Sequence, residues 1–410
     1  SSGSLIDAKI TSLGGNWYDV SITKLASSSS AVAVVQLVDD SNNTTYAGNG
    51  TGSILIQSAQ LESGLCSTEY LNSTSITAKA GVLIDLPRIN FDANGENGAL
   101  LLEGSRTNVL EYSEYFDSSY YTKASGTSLD FGYLAPDGTN SAYKLSGNTS
   151  SIYAPSVIDS SYSRSIWART TSGTGTAQLL SYFGNTNNIF NITEEWQRFE
   201  VSSLTVSTGD LNFYAADLRG VSTLNEIIIW GAQAENATYA TSYIPNHGTS
   251  GGVTRAADSC SVTGVSDVIG QTEGVIFLQV GETYNNADTG AEKWFLEIRK
   301  DGSNSFGLSS GGGGQIGNPV IRFVTKINNV VRTEGEPPNF SNSKIAIKYT
   351  STEFKLFQNG SLKITAPRNI GGYEDIQFME GASNDLTMVT KQLLAFPTAL
   401  TDSECISLTS

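Results

Sequence analysis

The sequence predicts an all-β protein made of antiparallel β-sandwiches in tandem. Three observations predict it. Runs of four to eight β-branched and aromatic residues recur along the chain, each bounded by Gly, Asn, Asp or Ser. No stretch sustains the 3.6-residue period of an amphipathic helix. A whole segment of the chain is also echoed far downstream. Ile54–Glu62 reads ILIQSAQLE and Ile227–Glu235 reads IIIWGAQAE. Each is followed by a Tyr in a similar frame (STEYL ending at Leu71, ATSYIP ending at Pro245) and then by a Thr-basic string, ITAKAG from Ile76 and VTRAAD from Val253. Upstream, NWYDVSI answers EWQRFEV. A repeat of this length is a whole domain rather than a solenoid unit.

The elements follow in order. Val32–Val38, Ile227–Trp230, Ile276–Val280, Phe295–Ile298, Ile345–Tyr349 and Phe354–Phe357 alternate as strands, and Ile54–Glu62 is expected to match Ile227–Glu235 strand for strand. Asn359-Gly360 predicts a tight hairpin, because both residues accept the positive φ of a primed turn. Ala135-Pro136-Asp137-Gly138 is a second turn. One helical turn is predicted at Thr401–Ser407, with Thr401 as cap and Asp402 and Glu404 in the first turn, where the helix dipole favours them. Four units result. Residues 1–70 are the rear half of a first module, 71–106 a connector ending in the apolar run Ala99–Leu102, 107–255 a complete module, and 256–410 a third. The half-module at 1–70 should expose an unpaired sheet edge unless another polypeptide, a further N-terminal part or the second module completes it.

Composition narrows the function. The formal net charge of −16 repels phosphate backbones and anionic lipid, so neither nucleic acid nor membrane insertion is expected. No apolar run is long enough to span a bilayer. The acid excess suits solubility and divalent cations. Three Cys, at 66, 260 and 405, without a CxxC pair predict neither a zinc ribbon nor a disulfide framework.

Several strings resemble known modules. GALLLEGSRTNVLEYSEYF at 98–116, APDGTNSA at 135–142 and IIIWGAQAENATYATSYIP at 227–245, followed by VTRAAD, resemble a jelly-roll module common in bacteriophage tail proteins and similar to carbohydrate-binding modules. GVIFLQV, KIAIKYTSTEFKLFQNGSLK and the ending LLAFPTALTDSECISL resemble the concanavalin A-like or laminin-G-like sandwich that often follows it. The resemblance implies a jelly roll and then a concanavalin A-like sandwich. It also implies a virion tail fibre or spike, outside the host cell, that binds a host-surface polysaccharide or glycan. It further implies other tail proteins as neighbours and a homo-oligomer, with a trimer favoured.

Candidate chemistry falls at several places. Ser250 in GTSGG lacks the strand and helix of a nucleophile elbow, and His247, the single His, leaves no base for a second such site. Gly312–Gly317 spells GxGxxG without a βαβ context. Asp92, Asn94, Glu96 and Glu103 have the spacing of a calcium loop, with the Gly misplaced. No cofactor is expected, although structural calcium is compatible with a jelly roll. Glu292 and Glu297 are spaced to lie on opposite strand faces, so no pair of acids for glycoside cleavage emerges and the chain is read as no enzyme. Aromatic residues remain as sugar contacts, since sugar C–H faces stack on rings. Trp17 and Trp196 hold matching repeat positions and read as packing residues. Tyr112, Tyr115, Phe116, Tyr120 and Tyr121 read as half core and half surface. Trp230 stands where the first copy has Gln57, an exchange a core position rarely accepts, so Trp230 is the predicted carbohydrate-binding residue on an outer or groove face. Strict alternation would place Gln233 on the opposite face, so it is excluded, and its match to Gln60 suggests a structural hydrogen bond. The rival functions are a polysaccharide-degrading tail enzyme with accessory binding modules and a purely structural spacer.

Overall fold

A computed structural model describes residues 5–25, 34–45, 47, 50, 53–68, 70–71, 88–91, 95–155, 161–181, 188–205, 212–285, 293–310, 321–336, 340–378 and 386–410. The chain is all-β, with antiparallel pairing throughout its sheets. Val32, Ala33, Ile76, Asp92, Asn94, Glu292 and the Gly312–Gly317 string lie outside the described residues.

Strands between Arg106 and Arg255 build one sandwich. Its larger sheet runs Gln197–Thr205, Ser161–Arg169, Glu226–Glu235, Arg106–Asn108, Val253–Arg255, with Ala142–Ser146 and Ser128–Tyr133 added beside Glu226–Glu235. The facing sheet runs Ile189–Ile192, Gly175–Leu179, Phe213–Asp217, Ser151–Ala154, Thr122–Lys123. Between them lie Leu145, Ile152, Ile166, Leu179, Phe213, Ile227 and Ile229, all fully buried. Phe116 and Tyr121 join that core, while Tyr112, Tyr115 and Tyr120 are only partly buried against it.

A second sandwich follows. One sheet runs Cys260–Thr263, Asp375–Phe378, Lys293–Asp301, Asn304–Ser310, Ile321–Ile327, Val330–Gly335. The other runs Ser361–Pro367, Glu353–Gln358, Lys344–Tyr349, Gly274–Asn285, Leu386–Phe396, Ala99–Glu103, Ile89–Asn90. The hairpin at Asn359-Gly360 has φ of 47° and 73°, as the sequence requires. The helix Asp402–Thr409 carries a capping box between Thr401 and Glu404 and covers Val275, Phe277, Ala346 and Phe357 on the outer sheet face.

Two sequence expectations need correction. Residues 71–106 do not act only as a connector. Ala99–Glu103 pairs with Leu386–Phe396, and Leu102 enters the core of the last sandwich. An apolar run needs a sheet to bury it, and that sheet is the one formed far downstream. Only Gly104 and Ser105 then separate this strand from Arg106–Asn108 in the other sandwich. Glu103 sits at this crossing. Arg255 and Arg88 bind its Oε2 at 2.7 and 2.6 Å, and the Ser242 amide donates to its Oε1 at 2.9 Å. Burial, the largest single influence, opposes its ionisation, but the two guanidinium groups and the Ser242 hydrogen bonds together hold its carboxyl below the usual range. Glu103 is therefore committed to arginine and not to a calcium loop. Among the described residues no three carboxylate, His or Cys side chains gather as a metal site.

The second correction concerns the first copy. Leu5–Gly14 and Trp17–Lys24 form a two-stranded hairpin, but Val34–Val38 and Ile54–Glu62 form no strand. A strand needs a ladder partner, and none reaches Ile54–Glu62 among the described residues. The expected superposition of two strands in two sandwiches therefore fails. Trp17, expected to pack, is exposed.

Candidate functional site

The outer face of the larger sheet in the Arg106–Arg255 sandwich carries a cluster of aromatic rings, and local backbone geometry explains it. Along Glu226–Glu235, Ile227 and Ile229 point into the main core while Ile228 and Trp230 point outward. Alternation then breaks. The neighbouring strand pairs Trp167 with Trp230 and Ser165 with Gln233, so this strand spends one extra residue. Gly231 sits in that β-bulge with φ of 65°. After it Ala232 and Ala234 face the core, and Gln233 and Glu235 face outward with Trp230. The strict alternation that separated Trp230 from Gln233 is thus overturned by the bulge. A Cβ at Gly231 would stand 3.2 Å from the Trp167 ring and 3.4 Å from the Tyr243 ring. The missing side chain is what lets those two rings close over the strand.

Trp230 does not lie in an open groove. Its exposure is 4%, its Nε1 donates to Ser141 Oγ at 2.8 Å, and its ring lies 4.7 Å from that of Tyr243. Ala135, from the turn the sequence marks as APDG, and Ala142, which opens the strand after it, pack against it. The Gln57-to-Trp230 exchange is accommodated by a second, small apolar cluster on the outer face, so Trp230 as found cannot stack a sugar. This corrects the sequence-based assignment.

The rings nearer solvent are its neighbours. Trp167, Trp196, Tyr133 and Tyr243 are half-buried and pack around Trp230. Trp196 Nε1 donates to the Leu134 carbonyl at 3.2 Å, and the Arg169 guanidinium stands 5.3 Å over the Trp196 ring. The Lys144 ammonium stands 5.6 Å over Tyr133. The Trp167 Nε1 is buried and has no hydrogen-bond partner. An indole N–H without an acceptor costs about 1–3 kcal/mol. Trp167 went unremarked in the sequence, although SIWAR has the outward phase of a strand and lies directly across from Trp230. Trp196, predicted to pack, packs on the cluster, and the Arg169 guanidinium stands near its ring.

Beneath the rings the polar residues are structural. Gln233 Oε1 accepts from the Ile244 amide at 2.7 Å. Glu235 accepts from the Thr241 amide at 2.8 Å and from its hydroxyl at 2.5 Å. These bonds clamp the return segment that carries Tyr243. The Tyr243 hydroxyl donates to Glu114 Oε1 at 2.8 Å. Burial pushes the Glu114 carboxyl up to about 7, the Tyr243 bond opposes that rise, and Asp137 adds to it.

The other sequence candidates fall elsewhere. His247 forms a backbone bridge with Tyr112, and the turn holding Ser250 is tied by Asn246, whose Oδ1 accepts from the Gly248 and Thr249 amides. Trp294 is buried beneath the Lys326 ammonium, which also pairs with buried Glu297 at 2.8 Å. Glu297 further accepts from Ser305. The group paired with this acid among the described residues is the Lys326 ammonium.

No protein-family model and no curated protein matches the chain. Solved structures are similar at low identity. A leech intramolecular trans-sialidase complexed with 2,7-anhydro-Neu5Ac is 16% identical with a TM-score of 0.25, over 37% of this chain and 27% of that one. The chain therefore spans only 27% of the length of that enzyme. The N-terminal tandem CBM22 domains of a Paenibacillus barcinonensis protein are 9% identical with a TM-score of 0.25, over 73% of this chain and 99% of theirs. The binding domain of botulinum neurotoxin DC in complex with SialylT is 10% identical with a TM-score of 0.20, over 73% of this chain and 50% of that one. Identities and scores this low assign neither a site nor a ligand.

Proposed function

We propose that the chain is a non-catalytic recognition component of a bacteriophage tail, extracellular and oligomeric, that binds a host-surface glycan. The observation that carries the glycan reading is the group of half-buried rings Trp167, Trp196 and Tyr133 on the outer face of the sheet. Flat rings accept the C–H faces of a pyranose. Arg169 and Lys144 at its edges add donors for hydroxyl or carboxylate groups. The tail placement is supported by the strings at 98–116, 135–142 and 227–245 and the chain ending, which resemble tail modules. The non-catalytic reading is supported by the sequence, in which no pair of acids spaced for glycoside cleavage emerges.

The test is a glycan array and a panel of purified bacterial surface polysaccharides, probed with the chain and with the Trp167→Ala/Trp196→Ala variant. Binding by the chain that the variant loses supports the proposal. Depolymerisation of any polysaccharide in the panel would replace it with the enzyme reading. Binding to nothing on array or cells would leave a spacer.

A further inference from the structure

The last sandwich carries a basic, polar cavity that takes no part in the ring face. The chain has a formal net charge of −16, but residues 344–368 hold five Lys or Arg and one Glu. Some of these cations have structural work. Lys348 and Lys355 pair with Asp402 of the helix at 2.7 and 2.9 Å. Arg368 donates to the Gln271, Thr350 and Ile370 carbonyls. Lys344 donates to the Ser410 carbonyl, and neither it nor Lys391 pairs with an acidic side chain among the described residues. Both line a cavity of about 370 Å³, together with Gln279, Asn342, Asn359 and Ser410.

Two irregularities in one pair of strands shape this cavity. Gln279 pairs with Gln392 and Val280 with Thr390, so Lys391 is an extra residue on its strand. Thr283 then pairs with Met388, so Gly281 and Glu282 stand against Val389 alone. A Cβ at Gly281 would lie 3.0 Å from Val389 Cγ1 and 3.3 Å from Lys391 Cε. The bare Gly281 therefore lets the Lys391 stem lie close across the strand. The other wall is tied to the same place. Asn342, at φ of 54°, donates its amide to the Gly281 carbonyl at 2.7 Å. Asn359 Oδ1 accepts from the Lys344 amide at 3.0 Å, and the Asn359 amide donates to the Lys344 carbonyl at 3.1 Å. Ser343 is buried, and its hydroxyl accepts from Gln358 Nε2 at 3.1 Å. Bulge, turn and hairpin thus fix the backbone that carries the polar lining before any ligand arrives.

We infer that this cavity binds a carboxylate-bearing saccharide unit, a hexuronate or a sialic acid, at a site separate from the rings of the other sandwich. Two ammonium groups suit one carboxylate through charge-assisted hydrogen bonds. Among the described residues Lys391 keeps its three ammonium hydrogens, and Lys344, with one on Ser410, keeps two. Gln279, Asn342 and Asn359 each carry a donor and an acceptor, as sugar hydroxyls do. The volume falls within the range of small-ligand sites, roughly 300–1,000 Å³. No aromatic side chain is among the lining residues, so charge and hydrogen bonds, not stacking, carry the recognition.

The experiment is calorimetric titration of the full chain at low salt. The probes are a galacturonate trisaccharide, a sialylated trisaccharide, the carboxyl-reduced form of each, and sodium acetate. Saturable binding of an acidic sugar is expected, weakened about tenfold or more by Lys391→Ala and weakened again as salt is raised. Lys391 is exposed, so an unchanged melting temperature confirms that the variant is folded. Lys391→Arg should keep most of the affinity. The Trp167→Ala/Trp196→Ala chain should bind the acidic sugar as the parent does, which separates this site from the ring face. Binding of neither acidic sugar, equal binding by Lys391→Ala, or equal binding of the carboxyl-reduced form overturns the inference. Acetate bound as tightly as the sugar would reduce the cavity to a simple anion site and overturn it too. Loss of binding in the double Trp variant would assign the acidic sugar to the ring face, with the same consequence.

Discussion

Replacing Glu114 by Gln tests the polar support beneath the ring platform. Glu114 is buried, and its carboxylate accepts from Tyr243, the residue that holds Trp230 in place. Its folded-state carboxyl is raised to about 7 from an ordinary 4.5, chiefly by burial. A raised carboxyl contributes its stability fully below pH 4.5 and loses it as pH rises through about 7. The difference corresponds to about 3 kcal/mol at one pKa unit per 1.36 kcal/mol. Gln keeps an oxygen for the Tyr243 hydroxyl and never ionises. Thermal or urea unfolding of the chain and of Glu114→Gln should therefore be compared at pH 5 and pH 8.5. Other titrating groups are common to both proteins and cancel in the comparison. The variant should be more stable by up to about 3 kcal/mol at pH 8.5, and the gap should close towards pH 5. A gap independent of pH, or one that widens on acidification, would refute the burial account of Glu114.

Two more substitutions probe the scaffold. Gly231→Ala puts a Cβ against Trp167 and Tyr243 at a positive φ; a loss of about 1–3 kcal/mol, with a changed near-ultraviolet circular dichroism signal from the displaced rings, is expected in urea unfolding. Glu103→Ala strands Arg88 and Arg255 at the crossing between the sandwiches and should cost about 3–5 kcal/mol, read as a drop in melting temperature that Arg255→Lys shows only in part.

Much of the fold was legible because local rules decided it. The Asn359-Gly360 hairpin, the Thr401 cap and the strand at Ile345–Tyr349 each follow from residue chemistry within a few positions. The misses needed information from far away. Ala99–Glu103 looks like a connector until its partner, Leu386–Phe396, is folded beside it. Ile54–Glu62 has the residues of a strand, but a strand is a property of a pair. The site failed for a subtler reason. Trp230 was placed on the correct face, but Ala135 and Ala142 pack against it and it is buried. The bulge at Gly231 shifts the phase by one residue, so Gln233 joins Trp230 where strict alternation separated them. Trp167 could have been found from SIWAR, an outward Trp beside an inward Ile, once that strand was paired with Glu226–Glu235.

The most direct test of glycan recognition at this face is the set of indole N–H resonances, which the chain's 5 Trp residues make assignable by single substitutions. A glycan that the array selects is titrated into the full chain. The account predicts that the Trp167 and Trp196 indole signals move with a common saturation curve, while Trp230, bonded to Ser141, and Trp294, beneath Lys326, stay in place. Saturable binding with Trp167 and Trp196 unmoved, or with Trp294 moving alone, would contradict it and send the search for the site to the other sandwich.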